Sequence, residues 1–310
     1  MLDKLFSGIL IFNKKFTFKS VICSKRNFPH CKQNHHMQLK FILLSTFLFF
    51  TFTASAQLFE SDKDFHAADS LKKEASFSIH KDNYFLTGIP LNMATTRNNA
   101  DVKYQVSFKQ RISKEPWIGG FFPYLMYSQK AFWDIYASSK PFAEINFNPG
   151  MAMVRPFYFK GNRLSYASFS LEHESNGRDS IYSRTWNFFA FSLKSQVSPR
   201  WTVGLRAWIP IVDKEDNPDL VEYVGYGEAS ATYQIKPGRW SADVLFRKGS
   251  GLLNYGSFQT QVNWRPIKKE NYYVTLQWFV GYTESLIDYQ EHKSMLRLGF
   301  VLKPDYMSIF

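Results

Sequence analysis

His173, Ser175 and Asn187 are the residues of this 310-residue chain whose types and spacing could do chemistry together. Side chains two apart in a strand point to the same face. If a hairpin turns about Ser180, position 173 stands opposite 187, with Cα atoms about 4.5–5.5 Å apart. His173 then sits between a hydroxyl on its own strand and an amide on the next. A nucleophile, a general base and a group that orients the base need that order. The imidazole takes the serine proton as the oxygen attacks an ester carbonyl, and returns it to the departing alcohol. The side-chain oxygen of Asn187 accepts the other ring proton and fixes the tautomer. A neutral amide stabilises the resulting imidazolium less than a carboxylate would. The competing reading is interfacial decoration, since hairpin ends are often merely polar. A one-residue register slip would move these side chains through the sheet.

The surrounding residues read as strands. From Ser165 to Ser175 the odd positions include Ala167, Phe169 and Leu171, while the even ones are Tyr166, Ser168, Ser170, Glu172 and Glu174. Asn187, Phe189, Phe191 and Leu193 alternate with Trp186, Phe188, Ser192 and Lys194. Similar period-two runs start at Trp201, Trp240 (interrupted by Leu245) and Tyr272. One apolar face at period two is the strand signal. Short turns at Ser198–Arg200, Lys236–Gly238 and Pro266–Glu270 face longer connections such as Asp213–Asp219 and Lys248–Leu253. The runs between Ser76 and Leu302 predict an all-β, 12-stranded antiparallel transmembrane β-barrel. The triad shares the apolar face, so in such a barrel it would meet lipid.

Residues 1–36 read as an over-extended start. Residues 37–56 read as a signal peptide: Lys40, an apolar run Phe41–Phe52, then Ala54-Ser55-Ala56 before Gln57. The run is too short to span a membrane as a helix, which needs about 20 residues. Residues 57–310 form the predicted barrel domain. Residues 1–56 hold eight of the 38 Lys and Arg and one of the 26 Asp and Glu, which leaves 30 against 25 and a net charge of +5. The formal +12 of the whole chain is therefore weak grounds for a nucleic-acid partner, and none is expected. Both cysteines, Cys23 and Cys31, precede residue 57, so the barrel has no disulfide, thiolate catalyst or Cys-based zinc site. Aromatic residues near strand ends (Trp201, Trp208, Trp240, Tyr272, Tyr273) and the final Tyr306, Ser308 and Phe310 favour an outer-membrane barrel over a soluble sandwich.

Other polar residues keep two readings. Asp216-Asn217-Pro218-Asp219 is a turn or, with Asp179 and Asp213, a source of oxygen ligands for calcium. His66, His80 and His292 form no zinc motif and read as solvated or pore-side. Glu172, Glu174, Arg184 and Arg206 line either a channel or a salt-bridged plug. A non-enzymatic outer-membrane channel is the competing function.

The chain resembles the outer membrane phospholipase A family. The densest pieces are His173-Glu174-Ser175-Asn176-Gly177-Arg178 and Ser183-Arg184-Thr185-Trp186-Asn187. Similar too are Tyr127-Ser128-Gln129-Lys130 with Trp133, Asp216–Asp219 with Gly225-Tyr226, and Gly281–Tyr289. The resemblance implies a bacterial outer-membrane, 12-stranded barrel with Ser175, His173 and Asn187 on its outer surface. It implies calcium-dependent hydrolysis of acyl esters of phospholipids and lysophospholipids, of phospholipase A1/A2 type. It also implies activation by a reversible homodimer that forms the acyl-chain cleft and completes the calcium sites. Carried over by motif, the calcium contacts are the carbonyl of Arg178, Ser183 and Asp216, with Ser139 from the partner barrel. Gln129 matches the family's polar residue at the dimer seam. Two departures stand out: Asp179 precedes Ser180 where the family commonly has aspartate second, and the stretch between Trp133 and Pro141 is short.

Overall fold

The computed structural model describes residues 62–304, apart from 160–162, 214, 216, 251–254 and 269. The leader segments 1–36 and 37–56, the side chain of His66 and the final Phe310 lie outside the described residues.

Helix α1 (Asp62–Lys73) leads into thirteen strands. They are β1 (Phe77–Ile79), β2 (Asn83–Pro90), β3 (Asp101–Arg111), β4 (Phe122–Trp133), β5 (Phe142–Phe159), β6 (Arg163–Ser175) and β7 (Thr185–Gln196). β8 (Trp201–Val212), a short helix α2 (Leu220–Val224), β9 (Gly227–Lys236), β10 (Trp240–Lys248), β11 (Gly256–Trp264), β12 (Tyr272–Gly281) and β13 (Lys293–Leu302) follow. Each strand from β2 to β13 pairs antiparallel with the next, and β13 pairs with β2. β1 and β2 both pair with β3, so they are two pieces of one rung. The result is a closed 12-stranded antiparallel β-barrel. Closure matters because hydrocarbon supplies no partner for a free sheet edge. Among the described residues no helix is long and apolar enough to cross a membrane, so crossing falls to the strands.

The alternation resolves as an inside and an outside. In β6, Ser168, Ser170 and Glu172 are buried while Phe169 and Leu171 are exposed. In β7, Trp186, Phe188 and Ala190 are buried while Phe189, Phe191 and Leu193 are exposed. An exposed apolar band of this extent suits lipid rather than water. At the short-turn end, Trp201 lies 4.6 Å from Tyr233 and Trp240 stacks 6.1 Å from Trp264, ring centre to ring centre. Trp208 is a correction to the expected girdle. It occupies an inward position of β8, is buried, and its indole N–H donates to the Gly225 carbonyl at 2.8 Å. Leu245, the residue that interrupts β10's alternation, lines the interior cavities.

Side chains occupy much of the interior and leave cavities of about 290 and 490 Å³. At the short-turn end, Leu71 of α1 packs on Phe122, Tyr124, Met126, Val154 and Tyr166, and Glu74 pairs with Lys109 at 2.8 Å. At the long-loop end, Leu220, Val224, Leu286 and Tyr289 cover Trp186, Phe188 and Trp208. Between them lie ion pairs: Arg206 to Glu172 at 2.5 Å, Arg247 to Glu228 at 2.9 Å, and Lys303 to Asp82 and Asp243 at 2.7 and 2.8 Å. Glu172 and Arg206 thus belong to a salt-bridged plug, not a channel lining. Glu174 accepts the Trp186 indole N–H at 3.1 Å. Arg184 departs from that plug: it lies in the hairpin loop and donates to the carbonyls of Ile181 and Ser183 at 3.0 and 2.6 Å. His80 is buried on the pore side, and His292 packs edge-on to Tyr282.

One buried cation ties the last strand to two carboxylates. Arg297 meets Asp101 at 2.6 Å and Glu284, in the β12–β13 loop, at 2.6 Å, and Lys103 meets Glu284 at 3.0 Å. Burial alone would push the Glu284 carboxyl up, but Arg297 and Lys103 overcome it and hold the group at about 2. Arg297→Met strands Asp101 and leaves Glu284 with Lys103 alone. It should lower the unfolding free energy by about 3–5 kcal/mol, read by denaturant unfolding in lipid vesicles. An unchanged midpoint would show that these pairs contribute nothing net.

Candidate active site

The β6–β7 hairpin places the three residues. Its register pairs His173 with Asn187 and Ser175 with Thr185, as a turn centred on Ser180 requires. The imidazole Nδ1 lies 2.9 Å from Asn187 Oδ1. With the amide oxygen as acceptor, Nδ1 carries the proton and Nε2 keeps its lone pair. Ser175 stands two residues along on the same outward face, and its backbone pairs with Phe147 of β5. All three therefore sit on the barrel's outer wall, at the long-loop end. Beneath His173 and Asn187 runs an outer-wall groove of about 720 Å³, walled by Phe108, Leu125, Tyr127, Met151 and Leu171.

The loop joining the strands, residues 176–184, is organised by Asn176. Its side chain is buried, accepts from the N–H groups of Arg178 and Arg184 at 3.3 and 3.0 Å, and donates to the Tyr182 carbonyl at 2.8 Å. Gly177 follows at φ 66°, where an added Cβ would stand 3.0 Å from the Phe147 ring, so only glycine fits without a shift. The Asn176 N–H donates to the Arg184 carbonyl at 3.0 Å and is unavailable to a ligand. Among the described residues, the Gly177 N–H has no backbone acceptor.

The oxygen atoms expected to meet calcium divide between regions. Arg178 and Ser183 share the 176–184 loop, Ser139 lies exposed in the β4–β5 loop, and Asp216 lies outside the described residues. A carbonyl and a hydroxyl are hard oxygen donors of the kind calcium takes. Beside Asp216, Asn217 donates to the Thr185 carbonyl at 2.6 Å, while its buried Oδ1 has no donor among the described residues. That unused acceptor sits on the loop from which the third contact is expected, and an amide oxygen is of the kind a hard cation takes. The described residues contain no cluster of three or more His, Cys, Asp or Glu that could hold a metal by themselves. Asp219 is engaged elsewhere, accepting from Tyr289 and from Gln290 at 2.7 Å. Asp213 accepts the Glu215 N–H at 3.0 Å. Gln129 faces outward on β4 and accepts from the Tyr127 hydroxyl at 2.9 Å.

A family model described as phospholipase A1 matches residues 63–302. This chain belongs to the phospholipase A1 family. The phospholipase A1 of Escherichia coli K12 is 32% identical over 211 residues, covering 64% of this chain and 70% of that protein. The Klebsiella pneumoniae phospholipase A1 is 32% identical over 180 residues, and the match spans 61% of its length. Among solved structures, a Salmonella typhi outer membrane phospholipase dimer with bound calcium superposes with a TM-score of 0.66, at 23% identity over 79% of this chain and 98% of that one. An active-site mutant of the E. coli outer membrane phospholipase A gives 0.66 at 21% identity, over 78% and 99%. At these identities the structures establish the fold: this family member shares their β-barrel.

Sequence reasoning passed over three residues that shape the site. Asn176 and Gly177 figure there only as part of a motif, although an Asn-Gly pair between strands signals a turn. Phe147, on β5, gives no signal, because cross-strand neighbours cannot be read without the register. Asn176→Ala removes both accepted bonds and the donated one. Amide hydrogen exchange of Arg178 and Arg184 should accelerate strongly while the strand amides of β6 and β7 stay protected; unchanged loop exchange would deny Asn176 this role.

Proposed function

We propose that this barrel hydrolyses the acyl esters of phospholipids and lysophospholipids from its outer wall, as a phospholipase of A1/A2 type. The observation that carries the reading is the 2.9 Å contact between His173 Nδ1 and Asn187 Oδ1 on a lipid-facing surface, with Ser175 two residues along the same strand. Burial and packing give little reason for that trio there, since the outward residues further along the two strands, Ala167, Phe169 and Leu171 on β6 and Phe189 and Phe191 on β7, are all apolar. A phospholipid ester lies near the membrane interface, so a nucleophile at a strand end reaches it without extracting the lipid.

Each residue has a role. His173 Nε2 takes the Ser175 proton as Oγ bonds to the carbonyl carbon, giving a tetrahedral oxyanion. The C–O bond to glycerol then breaks, and the same proton passes from Nε2 to the departing oxygen. Water, deprotonated by His173, cleaves the acyl-serine by the same route and releases the fatty acid. Asn187 holds the ring in one tautomer throughout. The Gly177 N–H is the oxyanion donor nearest in sequence that the hairpin does not use. Leu171, Phe169 and Phe189 supply the apolar surface for the acyl chain.

Calcium would be held by the Arg178 carbonyl, Ser183 and Asp216, with Ser139 from a partner barrel. When bound it would supply positive charge beside the developing oxyanion. The reading includes a reversible homodimer across the β4 face, with Gln129 at its centre. It also includes removal of the leader before Gln57 as the barrel enters the outer membrane.

Ser175→Ala should abolish ester cleavage and leave folding intact, and Asn187→Ala should lower turnover by about two to four orders of magnitude. Both are read by fatty-acid release from mixed phospholipid–detergent micelles, beside heat-shifted gel mobility for folding. Full activity of folded Ser175→Ala would refute the nucleophile. Chelation of calcium should stop the wild type reversibly; activity that persists in covalently cross-linked dimers after chelation would refute the calcium requirement.

A further inference from the structure

Glu144 stands at the long-loop end of β5, points inward, and is only 1% exposed. A buried carboxylate needs partners. Its Oε1 accepts from Asn146 at 2.7 Å and from the Ile287 N–H of the β12–β13 loop at 3.2 Å. Its Oε2 faces the Arg178 Nε at 3.4 Å and has no hydrogen bond among the described residues. The same guanidinium donates through Nη2 to the Ala143 carbonyl, next to Glu144 in sequence. The backbone N–H of Arg178 meanwhile donates to Asn176 Oδ1. Residue 178 is thus pinned twice, by its amide within its own loop and by its side chain across to β5.

That double attachment has a consequence for the carbonyl between them. Held at its amide and at the end of its side chain, and followed by Asp179, whose carbonyl accepts from the Tyr182 N–H at 3.2 Å, residue 178 has a peptide unit tethered on both sides and little free to rotate. We infer that Glu144 and the Arg178 side chain are positioning residues, a clamp that orients the Arg178 carbonyl oxygen towards a cation beside the triad. The inference rests on the calcium reading given above, and extends it to groups that do not touch the ion. Because Glu144 also holds Ile287, the clamp joins the catalytic hairpin loop to the loop that covers the barrel mouth. Such outer partners of a ligand are where metal affinity is set without any change of ligand.

Two variants separate the clamp from a merely structural role. Glu144→Gln keeps the shape but removes the charge facing Arg178. Arg178→Lys keeps the carbonyl and the positive charge, but a single ammonium cannot reach Ala143 and Glu144 in the same fork. Arg178 is 39% exposed at its side chain, so this second variant leaves no cavity and should fold whether or not the first does. The readout is calcium binding by calorimetry, using full-length barrels in detergent that also carry Ser175→Ala. Fatty-acid release is titrated with calcium in parallel on barrels that keep Ser175. The clamp predicts affinity about ten- to a hundredfold weaker for Glu144→Gln, a smaller weakening for Arg178→Lys, and recovery of Glu144→Gln turnover when calcium is raised. Binding curves that superimpose on the parent would overturn the inference, as would turnover lost at every calcium concentration with binding unchanged. A parent that binds no calcium overturns the calcium reading, and the clamp with it; a parent that saturates while both variants match it overturns the clamp alone.

Discussion

In hydrocarbon a backbone N–H or C=O has no water to turn to, and that constraint governs this molecule. The pairing of β13 with β2 meets it by removing both free edges. Once the sheet is closed, each side chain has only two destinations, lumen or lipid, assigned by the parity of its position. Everything else follows from that parity. Even positions of β6 and β7 fill the interior, and odd positions form the wall on which His173, Ser175 and Asn187 lie.

The same parity explains why the interior is a plug. Inward positions carry Glu172, Arg206, Glu228, Arg247, Lys103 and Arg297, charges that would be costly to strand in a dry lumen. They pair with one another and with loop residues such as Glu284, and α1 and α2 cover the two ends with apolar side chains. A porin needs this space open. Here the barrel is a rigid mount for the chemistry proposed on its outer surface.

Much of this was legible in the sequence because barrel strands advertise their two faces. Alternation around Phe169 and Phe189 marked the lipid side, and the symmetry of the hairpin about Ser180 was enough to set His173 opposite Asn187. Trp208 was placed wrongly in the rim because aromatic type outweighed parity, although its even number in β8 already aimed it inward. Helix α1 escaped notice because its packing face meets the barrel interior, a surface that exists only once the strands have closed. Glu144 and Phe147 were invisible for a related reason: their importance lies in β5 meeting β6 and the hairpin loop, contacts between residues far apart in the chain.

The central claim is that a reactive serine is displayed to lipid on the outside of a closed barrel. Incubating the refolded wild type with a long-chain alkylsulfonyl fluoride in micelles, then mapping the adduct by peptide mass spectrometry, tests it most directly. The account predicts one stoichiometric label, on Ser175, with loss of ester cleavage in proportion. A label on any other residue, or an active enzyme that takes none, would contradict it.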